Sequence, residues 1–399
     1  MPARLTPKMT STLNPQDIIS RIRAVLPPGE TKAALHEPRF HGNEKRYLDN
    51  CIDTGWVSYG GAYVERFERA LAECCGAAHA IAVTSGTVAL QVALHAGGVS
   101  AGDEVLVPAL TFVGTANAVV HAGAVPHFVD SEESTLGLCP TALAAHLDSI
   151  GETRGDHLYN RSTGRRISAV LPVHIFGHPV DMDPLMAVAE RYKLLVIEDA
   201  TEALGSRYKY RPCGSLAPLS ILSFNGNKIA TTGGGGAILT SDASLARHIR
   251  HITTTAKKPH PWAFNHDAVA WNFRMPNINA ALGLAQLEQL ATAVAAKRRL
   301  WKRYAEAFAT LPGVRVFSEL ADAESNYWLV SLLLDRGRED ALEPILAATN
   351  DVGLMTRPAW TPMHRLPMYE KNPRAPLPVT EDLVRRIINL PSSPFLSPP

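Results

Sequence analysis

The chain has 399 residues, 46% of them hydrophobic and 19% charged, which is typical of a globular protein large enough to divide into two domains. Its 39 basic and 38 acidic residues nearly cancel, so the composition indicates neither a nucleic-acid partner nor a membrane partner. Five cysteines without CxxC spacing indicate neither a disulfide framework nor a metal site, and no apolar run suits a membrane span or signal peptide, so we expect a cytoplasmic protein.

The N-terminus predicts a short helical extension. Residues 1–13 are polar and contain prolines, so we expect them to be poorly ordered. Asn14 and Pro15 are typical of a helix cap and a first helical turn, and they predict a helix through about Val25. We assign residues 1–30 to this extension.

Strands and helices then alternate over about two hundred residues. Apolar runs with β-branched residues predict strands at residues 80–83, 104–108, 125–129, 167–176 and 194–197. Helices are predicted from residue 63 onward, at residues 88–96, after residue 111 and at residues 184–192. This alternation predicts an α/β fold with a mostly parallel sheet that helices cover on both faces.

The pattern changes after residue 242. Helices are predicted at residues 244–253, at 278–290 with a continuation to about 308, and at 340–349, and a strand is predicted at 327–334. We therefore place a large domain at residues 31–255 and a smaller α+β domain, with dimer and substrate contacts, at residues 256–399.

The most informative segment is the apolar run at residues 194–197 with the acidic pair that follows it, Glu198 and Asp199. Ligands of open α/β sheets gather beyond the carboxyl ends of such strands. Lys228 follows in a segment with few charges, where partial desolvation would favour its neutral, nucleophilic form. This lysine, the Asp199 carboxylate and the Ser223 hydroxyl are groups that a pyridoxal 5'-phosphate (PLP) site needs. The alternative is a helix cap at Asp199 and ordinary loop roles for the other two residues.

Two further segments suit such a site. Residues 84–87 lead from a strand into a helix, where free backbone N–H groups attract a phosphate, although a plain N-cap by Ser85 or Thr87 is the alternative. Phe112 follows the strand at residues 104–108, and it either packs in the core or stacks on the pyridine ring. The turn at residues 84–87 would add a phosphate site, and Phe112 would add a contact to the pyridine ring, next to Lys228, Asp199 and Ser223.

Eight sequence blocks in this order resemble the DegT/DnrJ/EryC1/StrS family of PLP-dependent sugar aminotransferases, from about Gly55 to the C-terminus. The blocks are GWVS at 55–58, TSGTVAL at 84–90, PALTF at 108–112, PVHIFG at 172–177, EDA at 198–200, SF at 223–224 with Lys228, TGGGGA at 232–237 and NFRM at 272–275. The resemblance implies the fold-type I architecture of aspartate aminotransferase. In that architecture a large domain has a mostly parallel seven-stranded sheet, and a smaller α+β domain follows it.

The resemblance also implies a role for each cofactor residue. Lys228 binds PLP covalently and then moves a proton to and from the substrate carbon, and Asp199 keeps the pyridine nitrogen protonated. The phosphate is held by Ser85, Gly86, Thr87 and Ser223, and the two faces of the ring are bordered by Phe112 and Thr201. Glu202 faces the 3'-oxygen of the cofactor, where many relatives carry Gln or His. Its carboxylate would repel a phenolate unless the two share a proton.

Asn272 is implied to reach the phosphate of a neighbouring subunit, so the resemblance implies a homodimer with shared active sites. The candidate substrate contacts are Tyr59, His174, Lys257, His260, Arg274 and His364. A surface or interface position is an equally good interpretation for these residues. Arg274 is the preferred candidate because a guanidinium binds carboxylate or phosphate in a bidentate manner.

The implied reaction moves an amino group from L-glutamate to C4 of a nucleotide-linked 4-keto-6-deoxyhexose for bacterial surface polysaccharide. Segments at residues 253–260, 275–281 and 389–393 resemble the legionaminic acid and bacillosamine branch, which favours a 2-acetamido sugar. Alternatives are another keto sugar, such as a 3-keto sugar or GDP-4-keto-6-deoxymannose, a PLP-dependent sugar dehydratase, and a PLP-binding regulator. Dehydratase relatives carry His at the lysine position, so Lys228 favours amino transfer.

Overall fold

A computed structural model describes residues 13–397 of the chain. The predicted disorder of residues 1–13 therefore concerns residues outside this range, apart from Leu13, which is buried. No helix among the described residues is both long and apolar enough to cross a membrane.

Twelve α-helices lie in the described part of the chain. They are α1 Pro15–Val25, α2 Glu44–Asp53, α3 Ala62–Cys75, α4 Gly86–Ala96, α5 Val113–His121, α6 Pro140–Ile150, α7 Met182–Arg191, α8 Ala243–Thr253, α9 Asn277–Leu287, α10 Leu290–Phe308, α11 Leu342–Asp351 and α12 Pro378–Leu383. Short 3-10 helices occur at Ile175–Gly177, Glu339–Ala341, Met363–Arg365 and Pro394–Leu396.

Sixteen strands lie in the same range. They are β1 His79–Val83, β2 Glu104–Pro108, β3 Val125–Val129, β4 Gly151–Arg154, β5 His157–Asn160, β6 Arg166–Val170, β7 Leu195–Asp199, β8 Arg207–Tyr208, β9 Arg211–Pro212, β10 Leu219–Ser223, β11 Gly236–Thr240, β12 Val314–Val316, β13 Ala323–Glu324, β14 Val330–Leu334, β15 Arg357–Pro358 and β16 Ile387–Leu390.

The large sheet has the seven-strand path β1-β11-β10-β7-β6-β2-β3, and the β4–β5 hairpin extends it alongside β6. Strand β11 pairs antiparallel with both of its neighbours, whereas β10, β7, β6, β2 and β3 pair in parallel. The predicted mostly parallel seven-stranded sheet is confirmed. Because the parallel strands run in one direction, β2, β7 and β10 all end at the same edge of the sheet.

Both faces of this sheet are buried. Along β1, Ile81 and Val83 belong to one hydrophobic core, and Ala80 and Ala82 belong to the other. Helices α4, α5 and α8 contribute to the first core, and α3, α7 and α9 contribute to the second. Alternating side chains of a strand point to opposite faces, so a strand covered on both sides reads as a continuous apolar run. That is the pattern from which these strands were predicted.

A second, antiparallel sheet has the order β12-β14-β16-β15. Its core also contains side chains of α1, α10 and α11, so the N-terminal helix packs with the C-terminal part of the chain. Helix α9 lies on the C-terminal side of our proposed boundary at residue 255, and it packs against α2 and α3. The division into residues 31–255 and 256–399 stays a prediction.

Two predicted strands are shorter than the sequence pattern indicates. The strand predicted at residues 167–176 ends at Val170, and Phe176 within a 3-10 helix has φ 56°. The strand predicted at 327–334 begins at Val330, because Tyr327 has φ 47°. A positive φ is incompatible with an extended strand, and hydrophobicity alone does not reveal it.

Candidate active site

A cavity of about 340 Å³ lies at the edge of the large sheet where the parallel strands end. Strand β7 ends at Asp199, β10 ends at Ser223, and Ser85 and Phe112 directly precede helices α4 and α5. The cavity is lined by nine of the ten predicted cofactor residues, which are Ser85, Gly86, Thr87, Phe112, Asp199, Thr201, Glu202, Ser223 and Lys228. The sheet thus brings together side chains that are up to about 140 positions apart in the sequence.

One end of the cavity is suited to an anion. The Ser85 hydroxyl caps α4 by accepting a hydrogen bond from the Val88 N–H at 3.2 Å. The first N–H groups of a helix have no intrahelical acceptor, so those of Gly86 and Thr87 remain available to a ligand. A Cβ at Gly86 would lie 2.9 Å from the Ser223 Cβ, so glycine allows the backbone to approach Ser223 this closely. Ser85 therefore caps the helix and also lines the anion site.

The other end carries the Asp199 carboxylate, which is 1% exposed. One oxygen accepts a hydrogen bond from the Thr115 hydroxyl at 2.9 Å, and the other accepts one from the Thr201 N–H at 3.2 Å. These contacts hold the carboxylate against the cavity without supplying a positive charge. A cationic ligand group, such as a protonated pyridine nitrogen, would supply that positive charge.

Phe112 lies at the cavity wall and is 52% exposed, which excludes the alternative that it packs in the core. Its ring contacts the Trp360 ring edge-on, with centroids 6.0 Å apart. A Cβ at Gly114 would lie 3.1 Å from the Phe112 ring, so a larger residue there would displace it. The exposed ring is available to stack on a flat ligand.

The Lys228 amine faces this space, and its side chain is 12% exposed. Its Nζ lies 3.2 Å from the Glu202 Oε1 and 3.9 Å from the centre of the Trp328 ring. The other Glu202 oxygen accepts a hydrogen bond from the Phe176 N–H at 2.8 Å. Burial raises the pKa of Glu202, and the nearby Lys228 opposes this rise. Because only 12% of the Lys228 side chain is exposed, the predicted partial desolvation of this lysine is present in the structure.

His174 has a different role from the predicted substrate contact. It is fully buried; its Nε2 lies 3.0 Å from the Glu198 Oε1, and its Nδ1 accepts a hydrogen bond from the Val180 N–H at 3.0 Å. Both ring nitrogens are thus in use inside the protein. Glu198 also accepts hydrogen bonds from the Ser220 hydroxyl and from the Gly214 and Leu216 N–H groups. Although burial opposes ionisation of Glu198, these bonds outweigh it and lower its pKa.

The remaining predicted contacts lie away from the cavity of their own chain. The Arg274 guanidinium is buried and pairs with Glu68 at 2.8 Å, and the His364 Nε2 lies 2.6 Å from a Glu381 carboxylate oxygen. Tyr59 is 46% exposed, and the Lys257 Nζ lies over the Phe264 ring. His260 and Asn272 are also exposed. Substrate or phosphate contacts by these six residues stay predictions.

The structure adds cavity residues that the sequence interpretation missed. They are Leu90, Thr111, Gly114, Thr115, Val173, Asn225, Asn227, Gly234, Gly235, Trp328 and Trp360. Trp328 and Trp360 lie in the C-terminal part of the chain, more than a hundred residues after β7. No sequence signal places them at this sheet edge, because their position depends on how the two sheets pack. Thr115 could have been inferred, since it lies three residues after the predicted Phe112, within the first turn of α5.

The lining residues fit PLP in size and chemistry. The cavity offers N–H groups and a hydroxyl for a phosphate, a carboxylate for a ring N–H, an aromatic face and one lysine. The volume of about 340 Å³ lies within the usual range for a small-molecule site.

Comparison with known proteins agrees with this geometry. The model of the DegT/DnrJ/EryC1/StrS aminotransferase family matches residues 38–398. GDP-perosamine synthase from Escherichia coli O157:H7 is 38% identical over 364 residues, which cover 91% of this chain and 94% of the relative. The putative pyridoxal phosphate-dependent aminotransferase EpsN from Bacillus subtilis is 36% identical over 367 residues, which cover 90% and 91%. A crystal structure of a family aminotransferase from Brucella abortus has a TM-score of 0.79 at 30% identity and covers 89% and 91%.

Proposed function

Because this chain belongs to the DegT/DnrJ/EryC1/StrS family and is a PLP-dependent nucleotide-sugar aminotransferase, we propose that it transfers an amino group from L-glutamate to C4 of a nucleotide-linked 4-keto-6-deoxyhexose. The observation that carries the proposal is the cavity in which Lys228, Asp199 and the start of α4 face one space. Bacterial surface polysaccharide is the proposed destination of the amino sugar.

Five residues of the cavity have a proposed task in the reaction. The N–H groups of Gly86 and Thr87 and the Ser223 hydroxyl bind the phosphate and orient the cofactor. Asp199 holds the proton on the pyridine nitrogen. Lys228 takes a proton from the donor carbon and delivers it to the cofactor carbon, and in the second half of the reaction it moves a proton from the cofactor carbon to the sugar carbon. When bound, PLP supplies an electron-accepting ring that carries the amino group between the two substrates.

A GDP-linked sugar is the first substrate to test. The relative that is 38% identical over 91% of this chain is named a GDP-perosamine synthase, which supports GDP rather than UDP. The resemblance at residues 253–260, 275–281 and 389–393 supports a 2-acetamido sugar linked to UDP or GDP, so the UDP-linked 2-acetamido compound is the second test substrate.

The test is the formation of 2-oxoglutarate from L-glutamate in the presence of each keto sugar. We expect 2-oxoglutarate only when GDP-4-keto-6-deoxymannose or the UDP-linked 2-acetamido-4-keto sugar is present, and a product with nitrogen at C4 by NMR. Product with a 3-keto sugar alone would correct the carbon assignment. Ammonia release without 2-oxoglutarate would establish dehydratase or lyase chemistry instead.

The Lys228→Ala variant tests the residue assignment within the same experiment. Borohydride reduction should leave native protein with covalently bound cofactor and the variant without it, because the amine that attaches to PLP is gone. Lys302→Ala is the matched control, since Lys302 is a surface residue that is 73% exposed. A cofactor adduct that survives in the Lys228 variant contradicts the assignment.

A further inference from the structure

Trp328 is one of two contacts of Lys228 that the proposed mechanism does not use, and Glu202 is the other. Its side chain is almost completely buried, and it lies on the wall of the cavity at the start of the C-terminal antiparallel sheet. The Lys228 Nζ lies 3.9 Å from the centre of the Trp328 ring and 3.2 Å from the Glu202 Oε1. An aromatic face and a carboxylate therefore contact the same amine.

The Trp328 ring is held in place from several sides. Its indole N–H donates to the Asn227 carbonyl at 2.8 Å, directly before Lys228 in the chain. The backbone carbonyl of Trp328 accepts a hydrogen bond at 3.0 Å from the amine of Lys297, a fully buried lysine of α10. The bond from the indole N–H holds the ring toward Lys228, and the bond from Lys297 fixes the backbone that carries it.

Asn326 links the two groups that contact Lys228. Its side-chain oxygen accepts a hydrogen bond from the backbone N–H of Trp328 at 2.7 Å, and its amide nitrogen donates to the backbone carbonyl of Glu202 at 2.9 Å. Asn326 is fully buried. The Asn326 side chain therefore fixes the distance between the backbones of Trp328 and Glu202, whose side chains both contact Lys228.

Such an arrangement distinguishes the two forms of the lysine. An ammonium group is attracted to the face of an indole and to a carboxylate, whereas a neutral amine gains little from either. The other ionisable groups around it are the Asp199 carboxylate in the same cavity and His36, whose pKa is lowered by burial and by the charges of Lys297 and Lys228. Asp199 is bonded to Thr115 and Thr201, so Glu202 is the carboxylate in contact with the lysine.

We propose that Trp328 and Glu202 form a docking site for the free ammonium group of Lys228, and that Trp328 is a positioning residue for this lysine. The site holds the lysine beside the cofactor when it is detached and protonated, which keeps the proton donor in place for the second half of the reaction. This proposal rests on the proposed role of Lys228.

The test uses cofactor-free protein and labels lysines with trinitrobenzenesulfonate, which reacts with neutral amines. Peptide mass spectrometry follows Lys228 across pH, and Lys302, which is 73% exposed, is the internal reference. In Trp328→Leu the half-maximal labelling of Lys228 should move to lower pH by about 0.4 to 1.5 units, the equivalent of one cation–π contact. Trp328→Phe keeps an aromatic face and should show less than half of that shift.

Tyr210→Leu is the control, because it removes an aromatic side chain that is 85% exposed and does not line the cavity. It should leave the labelling profile of Lys228 unchanged. If Trp328→Leu does not fold, Trp328→Met, which fills more of the space, is tested instead. The same shift in the pH of half-maximal labelling of Lys228 is expected for it. An unchanged profile in a folded Leu or Met variant overturns the proposal. If the labelling profile of Lys228 shifts in Trp328→Leu but native protein transfers no amino group, the docking site is supported and the proposed function is overturned.

Discussion

At the scale of single residues, Asp199 is the group whose environment is most informative. It is buried in the cavity wall, and its two oxygens accept hydrogen bonds from Thr115 and Thr201 rather than from a cationic side chain. A buried carboxylate without a positive partner is costly, and a protonated ring nitrogen of the cofactor would remove that cost. Asp199 is therefore expected to favour cofactor binding and to contribute no stability to the cofactor-free protein.

Asp199→Asn tests this interpretation. The amide keeps the size of the side chain but loses its charge, so we expect the half-reaction with L-glutamate to slow by about 10² to 10³-fold. The unfolding midpoint of the cofactor-free protein should not fall, because a buried charge has been removed. Stopped-flow absorbance and thermal unfolding measure the two effects.

Asp183→Asn is the control for this substitution, since Asp183 pairs with Lys209 and Arg211 at the surface. Its rate with L-glutamate should equal that of native protein. A native-like rate in the Asp199 variant would show that the carboxylate does not stabilise charge on the cofactor ring.

At the scale of secondary-structure elements, a histidine pair connects strands β2 and β3 to helix α6. His127 of β3 lies between Glu104 of β2, at 2.8 Å, and His146 of α6, also at 2.8 Å. Glu104 is fully buried and accepts further hydrogen bonds from Asn160 and Thr163. Burial and the neighbouring charge of His127 lower the pKa of His146 to about 4.

The lowered pKa predicts that acid weakens the docking of α6. The folded protein binds the His146 proton less readily than the unfolded chain, whose histidines titrate near 6.5. The stabilising contribution is complete above pH 6.5 and is lost as the pH falls from 6.5 toward 4. At pH 5 the loss should be about 1 kcal/mol, after allowance for the exposed part of the ring.

Urea unfolding at pH 7.5 and at pH 5 measures this loss. His146→Gln keeps a hydrogen-bonding side chain without the titration, and it should reduce the difference between the two pH values. His248→Gln, on the exposed side of α8, is the matched control and should leave the difference as in native protein. An equal pH dependence in native protein and the His146 variant would contradict the prediction.

At the scale of the whole molecule, we propose a homodimer whose two sites are shared. Asn272 and His260 are exposed, Lys257 is half-buried, and all three lie away from the cavity of their own chain. Large apolar side chains are also exposed in the loops near them, including Trp262, Phe264 and Val269. A second copy that covers this surface would bring Asn272 to the phosphate end of the neighbouring cavity.

Subunit complementation tests the shared site. Lys228→Ala and Asn272→Ala proteins should each be nearly inactive when pure, the second because it retains PLP weakly. After unfolding and refolding as an equimolar mixture, half of the dimers would contain one intact site, which restores about a quarter of native activity. Mixing either variant with itself is the control, and no recovery in the mixed sample would place Asn272 in the site of its own subunit.

Local sequence patterns predicted five strands of the large sheet and its mostly parallel arrangement, because buried parallel strands are continuous apolar runs. The run at residues 194–197 placed Asp199 at the carboxyl edge, whereas β10 and β11 were not predicted. The grouping of Asp199, Ser223, Lys228 and the turn at residues 84–87 rested on their chemistry and on the family resemblance, and these residues do line one cavity.

Long-range packing decided the rest of the cavity. Trp328 and Trp360 reach it because the C-terminal sheet lies beside the sheet edge, and nothing in their own neighbourhood of the sequence requires this. His174, which lies in a family motif, proved to be an internal partner of Glu198, and Arg274 pairs with Glu68. A polar side chain bonds to whichever groups the completed fold places next to it, so its type and spacing alone do not reveal its partner.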